Sequence, residues 1–399
     1  MNLDDAPAQA ELRARARAWL AAHAAPRTPA SVDRADDDAA VARGRAWQRT
    51  KFEAGWAGLT WPRPFGGAGR PLIDQIVWDQ EAARFDVPEE TFIVSTMLAG
   101  PTIIDAGTDE QRARHLPPML DGRAVWCQLF SEPAAGSDLA GVTTRAVRAG
   151  DGWVVTGQKV WNSGAHYADW GLLLVRTDPA APKHAGMSYL LLDMRSPGIT
   201  VRPIRQITGA EHFNEVFLDE VYVPDSELLG APGDGWRIAR LTLAHEREGL
   251  VVRRRVDVDA FLELVRAARI DGEPAAGRAD VRQQVAEIWM RAQALELLSN
   301  RVTTSIARGR APGAEGSVGK LLGAALVNRV GRLSLSLQGA DGLLDGPEAL
   351  DGGRWQHAFL DATARRIAGG SDEIQRDIIS ERVLGLPREP RVTKDARTS

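Results

Sequence analysis

The chain has one cysteine, Cys127, so it can form no disulfide within itself and no cysteine-rich metal site. No stretch approaches the ~20 consecutive apolar residues that a bilayer-spanning helix needs. The seven histidines fall at no metal-ligand spacing. Neither sign of charge is in excess. Lys and Arg number 49 against 53 Asp and Glu, and the formal net charge of -4 gives no global reason to expect nucleic acid. The N-terminus, "MNLDDAPAQAELRARARAWL", carries acidic residues where a signal peptide would have a basic region and then a long apolar core. These absences predict a cytoplasmic protein with no nucleic-acid or membrane partner.

What is present is an ordinary globular composition, 44% hydrophobic and 26% charged, over 399 residues, a length that favours two or three domains. Twelve tryptophans are unusual, and at that density some are expected to line a ligand site. "AELRARARAWLAAH" and "PLIDQIVWDQEAARF" have helical periodicity, with the turn-rich "WPRPFGGAGRP" between them. "TDEQRARHLPPML" predicts a short capped helix stopped by Pro117 and Pro118. From about residue 125 the character changes to short β-rich runs, among them "WGLLLVRT", "MSYLLLDM" and "NEVFLDEVYVP", broken by Gly, Pro, Asp and Asn. Their close spacing predicts an antiparallel sandwich or barrel. After Gly230 the helical period returns in long segments that suit a bundle, and a last helix starts at Ser371 or Asp372. The expected architecture is α+β and multidomain. A helical domain over 1–124 and a β domain over 125–230 precede a helical bundle over 231–390 and a disordered tail over 391–399.

Three segments could carry chemistry. In "QLFSEPAAGSD" (Gln128–Asp138), Ser131 and Ser137 can donate to heteroatoms or phosphate oxygens, and the small residues let backbone amides come close. The same loop also reads as a plain strand-to-turn connection capped by Asp138. In "GQKVWNSGAHYADW" (Gly157–Trp170), Trp161 beside polar residues reads either as a wall for a flat heteroaromatic ring or as a buried core anchor. In "RRIAGGSDEIQR", Gly369 and Gly370 feed a helix N-terminus, where backbone approaches a ligand but no side chain can react with it.

Together "FSEPAAGSD", "GQKVWNSGA", "LAHERE" and "GGSDEIQRDIISERVLGLPREP" occur in an order and at spacings that resemble the acyl-CoA dehydrogenase family, over roughly residues 40 to 390. The resemblance implies that family's fold, FAD as cofactor and an oxidoreductase acting on an acyl-CoA. It places Gln128, Phe130 and Ser131 along the isoalloxazine ring, with the Ser131 hydroxyl at its pyrimidine edge. Gly136 and Ser137 would approach the pyrophosphate or the CoA. Trp161 would pack on the ring and Ser163 would hydrogen-bond near N5, while Ser371 and Glu373 match cofactor-contacting positions. Ser131 and Ser163 stand where the family usually has Thr.

The reaction implied is loss of two hydrogens from a saturated thioester, a base taking the α-proton while hydride passes to the flavin. A free carboxylate is too weak for this task, so the enolate-like charge must be stabilised by hydrogen bonds and the carboxylate made more basic by burial. Many members carry the glutamate in the turn before the last helix, but there this chain has Gly369. Isovaleryl- and long-chain-type members and many steroid-degrading bacterial ones place it on the helix after the β domain, in a Glu-Arg pair. Here that pair is Glu246-Arg247. On a helix Glu246 shares a stripe with Trp236, Ala239, Leu243 and Leu250, although Glu248 also has apolar neighbours. Gly249 leaves room for substrate, Arg247 pairs structurally or helps seat the thioester, and Gly369 reads as space vacated for a bulky acyl group.

Two departures concern the assembly. The region "ARIDGEPAAGRADVRQQ" lacks the family's R-x-x-F-G loop, and "LQGADG" is short where a loop usually reaches a neighbouring subunit's FAD. The partners the resemblance implies are an acyl-CoA and an electron-transfer flavoprotein, and the two departures leave either a second copy or, in an α2β2 assembly, a related subunit that completes the flavin site. The competing readings are a non-catalytic subunit of such an assembly and a flavin-dependent oxidase or monooxygenase on the same fold.

Overall fold

The computed structural model describes residues 5–27, 37–253, 257–310 and 313–388. The chain forms two compact units, Asn2–Arg253 with Gly346–His357, and Arg254–Asp345 with Ala358–Ser399. The expected tail over 391–399 lies outside the described residues. Among the described residues no helix is long and apolar enough to cross a membrane.

The first unit begins with α1 (Pro7–His23), α2 (Asp37–Glu53) and α3 (Leu72–Ala82). Leu12, Ala16 and Leu20 of α1 face Val77, Trp78 and Ala82 of α3 in one core cluster, with Trp47 and Trp56 filling the same space. Trp61, Trp126, Trp153 and Trp355 are buried as well, so most of the tryptophan surplus is structural. Helix α2 buries Gly44, Trp47, Gln48 and Lys51, a helical stripe with a single large apolar member. Its polar members are satisfied from afar, because Gln48 Nε2 donates to the carbonyls of Met119 and Leu120 and Lys51 pairs with Glu89 at 2.9 Å.

After a π-helical turn at Ser95–Ala99 come α4 (Gly100–Ala106) and α5 (Asp109–Leu120). Thr108 and Gln111 form the reciprocal side-chain cap of α5. Pro117 and Pro118 do not stop this helix, contrary to expectation. They fall in its last turn, where only two amide donors are lost, and burial of Leu116, Met119 and Leu120 holds the segment helical. The freed end is closed by Asp121 and Ala124, whose amides donate to the carbonyls of Pro117 and Pro118.

The β region holds β1 (Trp126–Leu129), β2 (Arg145–Ala149), β3 (Gly152–Ser163), β4 (Trp170–Arg176), β5 (Met187–Asp193), β6 (Ile199–Ile204), β7 (Phe213–Pro224) and β8 (Leu228–Leu229). They make one eight-stranded sheet in the order β6-β7-β3-β2-β4-β5-β8, with β1 against β4. Pairing is antiparallel except at β1–β4 and at the single β2–β4 pair, which are parallel. The intervening β2–β3 hairpin supplies the long crossover that a parallel pair needs. The leucine runs of β4 and β5 are buried on both faces. Leu172, Leu174, Tyr189 and Leu191 join a cluster with α4, α5 and the following helix, while Leu173, Val175, Leu190 and Leu192 fill the cluster inside the sheet. Helix α6 (Gly235–Arg253) ends this run and packs through Ile238 and Ala239 on the first of those clusters.

The second unit contains α7 (Val258–Ala267), a two-residue hairpin of β9 (Arg269–Ile270) and β10 (Glu273–Pro274), α8 (Ala279–Ala307) and α9 (Glu315–Gln338). Helix α10 (Arg354–Ala364) enters this unit and α11 (Asp372–Ile378) follows. Asn328 of α9 ties the end of α10 by donating to the Ala362 carbonyl at 2.7 Å.

Candidate functional site

The sequence allowed Trp161 to be a core anchor or a ring wall. Its side chain is 59% exposed, which excludes the anchor. The cause is local: the register of β3 against β7 shifts between Lys159 and Asn162, and this bulge re-aims the tryptophan away from the core. Its φ of 64° lies in the left-handed region, a conformation costly for a bulky residue and found mostly at functional positions. Phe213 meets its ring edge-on at 6.1 Å.

The bulge is stitched to the strand end at Gln128–Glu132. The Val160 amide donates to the Ser131 carbonyl at 2.9 Å, and Asn162 Nδ2 donates to the Gln128 carbonyl at 2.8 Å. Lys159, fully buried, donates to the Phe130 carbonyl at 3.1 Å and to Glu132 at 2.8 Å. Glu132 also accepts from the amides of Thr143 and Thr144 and from the Thr143 hydroxyl. Burial pushes this carboxyl up, but the charge of Lys159 and these donors outweigh it and bring the pKa to about 2. Burial lowers Lys159 to about 8 against the pull of Glu132. Neither residue was singled out from the sequence, although both lie inside the quoted motifs, where attention fell on small residues and the tryptophan.

Of the other expected ring residues, Phe130 is buried, Ser131 half-buried and Ser163 exposed; Gly136 and Ser137, expected at the pyrophosphate or the CoA, are exposed. Asp138 does not cap the turn that follows; its carboxylate pairs with Lys183 instead. Two buried polar atoms here, Gln128 Nε2 and Asn162 Oδ1, find no hydrogen-bond partner among the described residues. Orphaned buried polar atoms are rare and call for a ligand or water. An exposed indole face beside a half-buried hydroxyl, a buried amide donor and a buried amide acceptor fits a flat heteroaromatic group with polar atoms along its edge, as a flavin has. Cys127, below this strand end, is inert because burial raises its thiol to about 12.

Glu246 sits on α6 in the same unit, half-buried. One turn earlier Thr242 is fully buried and bonds to Tyr189 and to Thr102, each at 3.0 Å. Tyr189 in turn meets Phe130 edge-on at 5.7 Å, so a packed chain runs from the strand end carrying Ser131 to the helix face of Glu246. Trp236 and Leu243 are partly buried against the cluster that holds Ile238 and Ala239; the expected stripe named Trp236, Ala239 and Leu243 but not Ile238 or Thr242, which are fully buried. His245 is bound to Asp105 at 3.1 Å. The expectations for the side chains of Arg247, Gly249 and Leu250 lie outside the described residues.

Gly369, Ser371 and Glu373 belong to the second unit. Gly369 and Gly370 have φ of 66° and 87°, so the turn itself demands glycine at two successive positions. Gln375 closes the turn by donating to the Gly369 carbonyl at 2.9 Å, and Ser371 caps α11 by accepting from the Ile374 amide. Asp372 anchors it. Burial raises this carboxyl, but Arg366 at 2.7 Å and the charge of Lys320 prevail and hold it below the ordinary range. Glu373 is exposed, its carboxyl lowered by its own backbone amide and the Ser371 hydroxyl.

Three family models match the chain: acyl-CoA dehydrogenase N-terminal domain over residues 6–123, middle domain over 127–221 and C-terminal domain over 233–384. Acyl-CoA dehydrogenase IpdE1 of Mycobacterium tuberculosis is 38% identical over 391 residues, covering 95% of this chain and 98% of that protein. Acyl-CoA dehydrogenase FadE34 of the same organism is 42% identical over 332 residues; the match covers 82% of this chain but only 44% of the longer FadE34. Among solved structures, the Tcur3481-Tcur3483 steroid ACAD aligns with a TM-score of 0.83 at 31% identity, over 98% of this chain and 100% of that one. The ChsE4-ChsE5 complex from Mycobacterium tuberculosis aligns with a TM-score of 0.81 at 30% identity, again over 98% and 100%. With the helical, β and helical segments in this order and matches along nearly the whole length, the chain belongs to the acyl-CoA dehydrogenase family.

Proposed function

We propose that the protein dehydrogenates an acyl-CoA thioester to the trans-2-enoyl-CoA with FAD, Glu246 taking the α-proton. The observation that carries this reading is the packed path Phe130–Tyr189–Thr242, which joins the strand end of Ser131 to the helix turn before a half-buried glutamate. FAD, when bound, supplies the acceptor for the β-hydride. Gln128, Ser131, Trp161 and Ser163 would hold its ring, Trp161 by stacking and the others through polar contacts at its edge. Ser371 and Glu373 would contact the cofactor, Gly136 and Ser137 would approach its pyrophosphate or the CoA, and Arg247, Gly249 and Gly369 would border the substrate. Thr242, one turn before Glu246 on α6, and Tyr189 are both buried and would exclude water from that side of the helix. Burial pushes the Tyr189 hydroxyl up, so it stays protonated and serves as a fixed donor or acceptor rather than as a second base.

Anaerobic titration of the purified protein with a panel of acyl-CoAs, straight-chain, branched and steroid-linked, tests this. Loss of flavin absorbance with some thioester supports the dehydrogenation; oxygen uptake with hydroxylated product supports the monooxygenase reading in its place. The family's R-x-x-F-G loop is replaced here by the tight β9–β10 hairpin, and two similar solved structures are named as pairs of proteins. A related subunit completing the flavin site therefore belongs to the proposal, as does an electron-transfer flavoprotein taking the electrons. FAD content that rises on co-expression with such a subunit supports the first; full FAD occupancy of this chain alone supports a homo-oligomer.

A further inference from the structure

The left-handed Trp161 needs an explanation of its own, because such a conformation persists only where the surroundings over-determine it. The restraints come from both sides along the chain. After the tryptophan, Asn162 is held by the Gln128 carbonyl, and its own carbonyl accepts from Asn214 Nδ2 at 2.9 Å. Before it, Val160 is held by Ser131, and Lys159 reaches through the core to Phe130 and Glu132. Glu132 then binds the backbone of Thr143 and Thr144, in the segment leading into β2. A single ion pair thus joins three chain segments that are far apart in sequence, and it lies two residues from the outlier. An apolar pair could fill the same volume, but it would supply neither the fixed donor directions nor the acceptor for two loop amides.

We propose that the buried Lys159–Glu132 pair is a positioning device that locks Gln128–Glu132, Val160–Ser163 and Thr143–Thr144 into one ring-facing surface and holds Trp161 in its left-handed conformation. The pair touches no substrate; it acts through Trp161 and Ser131. That the surface receives a flavin rests on the function proposed above, but the locking itself does not.

Two variants separate positioning from bulk stability. Lys159→Met leaves a buried carboxylate without its cation and lowers the melting temperature sharply. The double variant Lys159→Met with Glu132→Gln has no buried charge. Its glutamine oxygen can still accept from the Thr144 amide and its amide can donate to the Thr143 hydroxyl, while the Thr143 amide, on an exposed residue, loses its acceptor. It is expected to regain most of the melting temperature. The lock should not return. In the double variant, amide hydrogen exchange of peptides covering 128–137 and 157–168 accelerates by about tenfold or more over wild type while α8 peptides exchange unchanged, and FAD binds about tenfold more weakly or worse. Wild-type exchange in those two peptides overturns the proposal whatever the FAD result. Accelerated exchange in a protein whose wild type takes up no FAD upholds the lock and removes the flavin reading instead.

Discussion

Trp161 offers a test whose sign is set by backbone geometry. The side chain is 59% exposed, so replacing it by a small residue removes burial of about two fifths of its surface. At ~150–250 Å² for a whole buried aromatic and ~25 cal/mol per Å², that loss is about 2 kcal/mol, common to Trp161→Ala and Trp161→Gly. The two variants then diverge. In an ordinary strand glycine is worse than alanine by ~0.5–1 kcal/mol. At a φ of 64° alanine keeps a left-handed penalty of ~1–2 kcal/mol that glycine escapes. The usual order is therefore reversed, with Trp161→Gly more stable than Trp161→Ala by about 0.5–1 kcal/mol. In thermal scans of the two variants at one protein concentration this amounts to roughly 1–4 °C in favour of glycine for a unit of this size. A higher melting temperature for the alanine variant would refute the left-handed assignment, and with it the argument that the bulge presents this ring.

Thr242→Val removes a hydroxyl that bonds both Tyr189 and Thr102 in a fully buried site and is expected to cost ~1–3 kcal/mol, while Thr242→Ser stays close to wild type; thermal denaturation of the pair measures it. Acid should act through Glu132. Its carboxyl is lowered from 4.5 to about 2, so below pH 4.5 the unfolded chain binds the proton that the folded state refuses, and stability falls as pH drops from 4.5 towards about 2. Denaturant titrations across that range should show a shallower slope for the Lys159→Met, Glu132→Gln double variant, and equal slopes would contradict this account of acid sensitivity.

The sheet was legible because its strands carry β-branched and leucine-rich runs punctuated by Gly, Pro and Asp, and pairing only had to sort them. The last helix was legible for a similar reason, with Ser371 capping it where the sequence places a capping residue. Helix α2 was not, since its buried face is Gly44, Trp47, Gln48 and Lys51, whose partners at Met119, Leu120 and Glu89 are brought close only by the fold. Prolines 117 and 118 misled because the local rule against them is weak in a last turn whose apolar side is buried. At the site, residue types could be read but not their exposure. Whether Trp161 faces core or solvent depends on a one-residue shift between β3 and β7, and period-two patterning cannot reveal it. The Lys159–Glu132 and Thr242–Tyr189 pairs were hidden because each joins positions distant in sequence and neither is a recognised catalytic string.

The base assignment is the central claim, and Glu246→Gln addresses it with minimal change in shape. The measurement is the rate of flavin reduction in anaerobic stopped flow, with an acyl-CoA that reduces the wild type, on variant protein shown to retain its FAD. Removal of a general base is expected to slow that step by about 100- to 10,000-fold. Reduction at the wild-type rate would mean that another group takes the α-proton, and the assignment to this helix would be wrong.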